Sequence, residues 1–147
     1  MTFSLRPATR DDIAHVLPRT AALNAHESIV LEPAALEASL GRLLDDPVLG
    51  RVWLVERDGA PIGYALTTFS YDLEFGGREA WLTELWIDDH ARATGGGSAV
   101  LDLLSVELKV LGIAAVHLQV RPDNPARRLY ERRGFVASPR IVMTRRL

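Results

Sequence analysis

The segment Arg92-Ala93-Thr94-Gly95-Gly96-Gly97-Ser98 joins a run rich in β-formers, Trp81–Ile87, to a stretch where Val100, Leu101, Leu104, Leu108 and Leu111 recur at helical spacing. Its three glycines carry no β-carbons, so backbone N–H groups can approach a ligand closely. They also fall where a helix N-terminus gathers unpaired donors and the positive end of its dipole. Such a place suits a polyanion, foremost a pyrophosphate, and Arg92 adds a guanidinium fork for phosphate oxygens. A glycine run between strand and helix can equally be no more than a tight turn. Two familiar phosphate loops do not fit. No Lys follows Gly97, as a P-loop requires. Val100 stands where a dinucleotide-binding loop needs a small residue, and only about 50 residues remain for the rest of that fold.

Other chemistry-bearing side chains are sparse. Glu84 lies inside the β-run, where strict alternation puts it on one face with Leu82 and Trp86. A carboxyl in such a partly apolar setting has a raised pKa. Tyr130 follows Ala126 and Leu129 on a helical stretch. His15, His26, His90 and His117 are scattered without paired ligand spacing, so no metal site is expected. The chain has no cysteine, which excludes a disulfide framework and removes the commonest acyl-enzyme nucleophile.

The elements that must position these groups follow from local signals. Phe3–Leu5 reads as a strand, and a helix starts near Asp11, with Pro18 expected to kink or divide it. Pro33 opens a second helix carrying Leu36, Leu40, Leu43 and Leu44. Arg51–Arg57 and Pro61–Tyr71 flank Asp58-Gly59, a hairpin signal, and Ala80–Asp88 forms a fourth strand. The helix after the glycines ends at Gly112, and a fifth strand spans Ala115–Val120. A last helix runs from Asn124 to Gly134, before short strands at Phe135–Ala137 and Ile141–Leu147. The order is mixed α/β. At 147 residues, 48% hydrophobic and 24% charged, the chain suits one soluble domain over residues 1–147, with no run long enough to cross a bilayer and no leader pattern at the start. A cytoplasmic location is the default expectation.

Charge is divided along the chain. Residues 92–147 hold 10 Arg and Lys against 4 Asp and Glu, a balance of +6; residues 1–91 hold 7 against 15, a balance of −8. The basic half contains the glycine loop, which fits a phosphorylated ligand. An overall pI near 6.1 and the lack of a reader motif argue against nucleic acid. The acidic half suits a cationic partner, or is simply a solvated face.

The loop resembles the Arg/Gln-x-x-Gly-x-Gly/Ala signature of the GNAT superfamily of N-acetyltransferases. Asn124-Pro125-Ala126-Arg127-Arg128-Leu129-Tyr130-Glu131-Arg132-Arg133-Gly134-Phe135 is similar to that family's Asn-x-x-Ala-x-x-x-Tyr-x-x-x-Gly-Phe motif. Leu5-Arg6-Pro7-Ala8-Thr9-Arg10-Asp11-Asp12 resembles its opening strand and turn. The resemblance implies a mostly antiparallel central sheet of about six to seven strands flanked by about four helices, with strands four and five splayed. It implies acetyl-coenzyme A as co-substrate and no metal. The pyrophosphate would lie on Arg92, Ala93, Thr94, Gly95, Gly96, Gly97 and Ser98. The pantetheine arm would pair with the backbone of Trp86, Ile87 and Asp88, with Asn124, Arg127 and Tyr130 completing the cofactor contacts.

By the same resemblance Tyr130 is the general acid that protonates the leaving sulfur; helical spacing alone would make it a buried packing residue. Glu84 is the candidate base for the attacking ammonium, or a structural carboxylate paired with an Arg. Asn124 is a helix cap, a cofactor contact, or both. Residues 64–71, Gly77-Arg78 and Leu82-Thr83-Glu84-Leu85 are similar, more weakly, to the diamine and thialysine branch, in which His26, Glu27, Asp72 and Glu84 would meet the acceptor. Glu74 and Glu79 would recognise a second ammonium or sit solvated in the turn. The expected partner is a small amine, with no nucleic acid and no membrane, and the expected assembly is a homodimer. The alternatives are a protein or peptide N-acetyltransferase and a non-catalytic acyl-coenzyme A-binding module.

Overall fold

The computed structural model describes residues 1–147. Five strands form one sheet in the order β1-β2-β3-β4-β5: β1 Phe3–Pro7, β2 Gly50–Arg57, β3 Ala60–Asp72, β4 Gly77–Ile87 and β5 Ile113–Leu118. All neighbours are antiparallel except β4 and β5. Helices α1 (Ile13–His26) and α2 (Pro33–Asp45) precede β2; α3 (Asp89–Arg92) and α4 (Gly96–Val110) link β4 to β5; α5 (Ala126–Arg132) follows.

Alternation divides the sheet between two layers. Val52, Leu54, Tyr64 and Leu66 face Val16 of α1 and Leu40 of α2. Trp53, Ala65, Ala80 and Leu82 face Leu101, Leu104 and Leu108 of α4. The antiparallel strands β2 and β3 are thus covered on both sides, which is why they read as continuous apolar runs. Asp58 (φ 51°) and Gly59 (φ 81°) make the tight β2–β3 turn that their pairing in sequence predicts.

Four expectations are corrected. The sheet has five strands, since residues 135–147 form no strand and most are exposed. Their β-formers pair with no strand of the sheet, and an unpaired strand is not stable in water. Pro18 does not divide α1: it and Ala14, whose carbonyl its missing N–H would have met, are both exposed, so water can serve that carbonyl. The bulge in β4, where Leu66 pairs Glu84 but Thr67 pairs Leu82, leaves Thr83 surplus. Glu84 therefore shares its face with Trp86 and not with Leu82, which packs under α4. Fourth, Glu79 is buried, not part of a solvated turn.

Candidate active site

Pairing of β4 with β5 covers Arg78 to Leu82 and stops at Leu82–Leu118, so the two strands diverge over the last five residues of β4. The Asp88 N–H bonds the Ile62 carbonyl at 2.8 Å. Backbone groups of successive strand residues alternate sides, so Trp86 also turns toward β3, while Leu85 and Ile87 turn to the open side. Of the three residues expected to serve a pantetheine arm, Ile87 alone faces the divergence. Its carbonyl already accepts from Arg92 Nε at 2.7 Å. Leu85, which sequence analysis passes over, is the other open backbone position.

The glycine loop lies where α4 begins. Gly95 (φ 83°) is the N-cap, and the first helical bond is Ala99 N–H to Gly95 C=O at 3.1 Å, so the amides of Gly96, Gly97 and Ser98 have no acceptor within the helix. A Cβ on Gly95 would meet nothing within 4 Å, which leaves the outer rim open. On Gly96 it would lie 3.0 Å from the Ala91 carbonyl, and on Gly97 2.8 Å from a Leu129 methyl. Those two glycines let α4 close on α3 and α5. Free donors at the head of a 15-residue helix, an open rim and nearby Arg57, 3.3 Å from Thr94 Oγ1, fit a pyrophosphate. The Arg92 guanidinium lies against Asp89 (2.9 Å) and 4.6 Å over the Trp86 ring, so it braces the end of β4 beside the loop.

Glu84 accepts a hydrogen bond from the buried Tyr64 hydroxyl at 2.8 Å. Burial pushes its carboxyl above the ordinary range, and the Tyr64 bond opposes that shift. No Arg pairs with it. Tyr64 was not singled out by sequence analysis, because only the β3–β4 register brings the two together.

Tyr130 sits on α5, packed edge-on to Phe135 with ring centroids 5.9 Å apart. Burial raises its pKa, and the Glu27 charge raises it further. Glu27 also lies 3.8 Å from Arg121 Nε and 3.7 Å from the exposed His26. The end of α1 thus meets the connection between β5 and α5, and the Glu27 charge is felt at Tyr130. Asp72 lies apart: it pairs with Gly77 at the far end of the hairpin, six residues along β3 from the partner of Glu84, about 20 Å away. Its carboxylate accepts from the Glu74 N–H at 2.8 Å. Asn124 Oδ1 accepts from the Ala126 N–H at 2.9 Å, which is capping, and Arg127 pairs with Glu131 at 2.8 Å. Asp88 carries an unforeseen ion pair with Arg19, 2.6 Å and partly buried, and also accepts from Trp86 Nε1.

Comparison with known proteins agrees with this geometry. The model of the acetyltransferase (GNAT) family matches residues 19–135. A ribosomal-protein-alanine N-acetyltransferase from Brucella melitensis biovar Abortus 2308 is 16% identical, covers 99% of both chains and superposes with a TM-score of 0.80. A predicted acetyltransferase from Clostridium acetobutylicum, solved with acetyl-coenzyme A, is 20% identical over 98% of this chain and 96% of that one, with a TM-score of 0.79. AAC(6')-Iy, in complex with the bisubstrate analogue CoA-S-monomethyl-acetylneamine, is 15% identical over 100% and 99%, with a TM-score of 0.82. No curated protein matches the chain by sequence. The chain belongs to the acetyltransferase (GNAT) family. It is an acetyltransferase that uses acetyl-coenzyme A. No helix is long and apolar enough to cross a membrane.

Proposed function

We propose that the protein transfers an acetyl group to a primary amine of a small cationic molecule, by direct attack within a ternary complex. The observation that carries this reading is the carboxylate of Glu27 at the end of α1, 3.8 Å from Arg121 Nε before α5, whose charge is felt at Tyr130, the group proposed to protonate the leaving sulfur. An incoming ammonium is attracted to that spot. The absence of cysteine favours direct attack over a thiol acyl-enzyme.

Acetyl-coenzyme A supplies the thioester. The amides of Gly96, Gly97 and Ser98 bind its phosphates, with Arg57 and Arg92 adding positive field. Backbone groups of Leu85 and Ile87 orient its arm along the open edge of β4. Glu84, made more basic by burial, takes the ammonium proton, directly or through water. Tyr130 stays protonated because its pKa is raised, and holds its proton at Oη for the sulfur. Ala93, Asn124 and Arg127 shape the loop and the head of α5 around these groups.

A second reading, acetylation of a peptide amine, is favoured by Ile29, Val30 and Leu31, three exposed apolar residues that follow Glu27 and Ser28. We also infer a homodimer, in which the open edge of β5 and residues 136–147 of two copies cover one another; Val136, Ile141, Val142 and Met143 are exposed in the single chain. Turnover of acetyl-coenzyme A with a panel of amines and peptides separates the readings. Intersecting initial-rate lines with a small cationic amine are expected. Activity on peptides alone, or on nothing, overturns the proposal.

A further inference from the structure

Glu79, His117, Ser70, Trp81 and Phe75 form a polar–aromatic cluster that none of the roles above uses. Glu79 is buried at the start of β4. Its Oε1 accepts from Ser70 Oγ at 2.8 Å and from Trp81 Nε1 at 3.4 Å, and its Oε2 lies 2.7 Å from His117 Nε2. The Ser70 hydroxyl, followed by His117, holds this carboxyl below its ordinary range, so it is an acceptor at neutral pH. The hydrogen between Glu79 and His117 therefore sits on Nε2. The imidazole is flanked by Phe75 and Trp81, with centroids 5.2 Å and 5.0 Å away. One edge is bound and two aromatic neighbours fix the ring, yet the side chain remains 26% exposed. In the neutral ring the free nitrogen, Nδ1, carries a lone pair and no hydrogen.

The cluster borders the strand divergence. His117 pairs with Trp81, one rung before the last, Leu82–Leu118. Trp81 also lines a small cavity of about 110 Å³ with Leu82, Thr83 and Gln119, where β4 and β5 part. Through the bulge Glu84, the proposed base, lies two register steps beyond Trp81 on the same face (Thr68 to Leu66 on β3), roughly 6.5 Å along the sheet.

We propose that His117, oriented by Glu79, is an acceptor-recognition residue: its Nδ1 takes a hydrogen bond from a second O–H or N–H of the acceptor. The preferred acceptors are then primary amines bearing such a donor roughly 6.5 Å from the reacting nitrogen, a span of about five carbons. This rests on the reading that an amine is acetylated at the strand divergence, and it adds the second group that the site reads.

The test compares three probes of equal charge: pentylamine, 5-amino-1-pentanol and 5-methoxypentylamine. For the wild type, kcat/KM for the amino alcohol should exceed that for pentylamine by about five- to tenfold, the range of one neutral hydrogen bond. The methoxy compound should gain nothing. His117→Phe keeps a ring between Phe75 and Trp81 and should bring the alcohol-to-alkyl ratio to about one, mainly through KM. Glu79→Gln supplies a variant of opposite sense. Ser70 and Trp81 still require an oxygen at the Oε1 position, so the amide NH₂ faces His117 Nε2 and moves the ring hydrogen to Nδ1. That variant should favour the methoxy compound over pentylamine.

Nitrogen NMR of His117 gives a readout independent of turnover: hydrogen on Nε2 in the wild type and on Nδ1 in Glu79→Gln, with the wild-type Nδ1 signal shifted by the amino alcohol and not by pentylamine. A wild-type ratio within twofold of one, a hydrogen on Nδ1 in the wild type, or no Nδ1 response to the alcohol overturns the proposal. If no amine is acetylated but Nδ1 still responds to the alcohol, the amine-transfer reading fails and the recognition site stands.

Discussion

The Tyr64 hydroxyl donates to the Glu84 carboxylate over 2.8 Å, joining the middle of β3 to the first residue beyond the β4 bulge. This contact sets how basic the carboxylate is. Burial raises its pKa and Tyr64 lowers it, so Tyr64→Phe should raise it further. The acidic limb of the kcat/KM–pH profile should then move to higher pH, and Glu84→Gln should cost about 10²–10⁴ in kcat with that limb lost. Rates across pH 5 to 9, a range of about four units that spans a raised carboxyl, check both.

The same carboxylate shapes stability. A carboxyl whose folded pKa exceeds its unfolded value favours the fold below the unfolded pKa and loses that contribution as pH rises through the folded one. Glu84→Gln does not titrate, so its melting temperature relative to wild type should rise from acid toward neutral pH. Thermal melts at several pH values would refute this by showing a constant difference.

Glu27 and Tyr130 form the second testable pair. Tyr130→Phe should lower turnover by about 10²–10⁴-fold with cofactor affinity little changed. Glu27→Gln removes the negative charge that raises the Tyr130 pKa, so the basic limb of the kcat profile should shift to lower pH. It should also narrow the preference for cationic over neutral amines, a preference that weakens with salt if the field is electrostatic. Equal efficiency for both amine types at low salt would remove Glu27 from acceptor selection.

The head of α4 allows a clean separation of binding from folding. A side chain at Gly97 strikes Leu129, so a substitution there disturbs packing as well as any ligand. Ser98 is three residues past the N-cap Gly95, where an acidic residue suits the helix dipole. Ser98→Asp should keep or raise the melting temperature while weakening acetyl-coenzyme A by tenfold or more, about 1.4 kcal/mol of like-charge repulsion. Calorimetry showing unchanged affinity would move the phosphates elsewhere.

What the chain declares locally and what it does not divide along physical lines. Asp58-Gly59, Pro33, Gly112 and Gly134 act through their own backbone preferences, and each marks the turn or helix end expected of it. The glycine loop and the Tyr130 helix lie where sequence analysis puts them. The bulge at Thr83 has no local signal, so strict alternation puts Glu84 on the face of Leu82, where it does not lie. Tyr64–Glu84 and Glu79–His117 depend on register between strands, which single residues do not announce. Arg19–Asp88 spans 69 positions and needs the whole α1-on-sheet packing. Residues 141–147 have strand-like composition, but a strand is a property of two segments, and these residues pair with none.

The surplus residue in β4 changes the parity of the strand. Before it, even-numbered Ala80 and Leu82 belong to the α4 layer; after it, odd-numbered Leu85 does, and even-numbered Glu84 and Trp86 cross to the α1 side. Were Thr83 paired in plain alternation, with no bulge, the Glu84 carboxylate would point into the leucines of α4 and the Tyr64 hydroxyl would face no acid. This stretch should therefore accept deletion of Thr83, which joins Leu82 to Glu84 on their present faces, yet fail on deletion of the paired Leu85, which turns Trp86 toward α4. The parity of the paired residues, not their number, decides which face the Glu84 carboxylate takes.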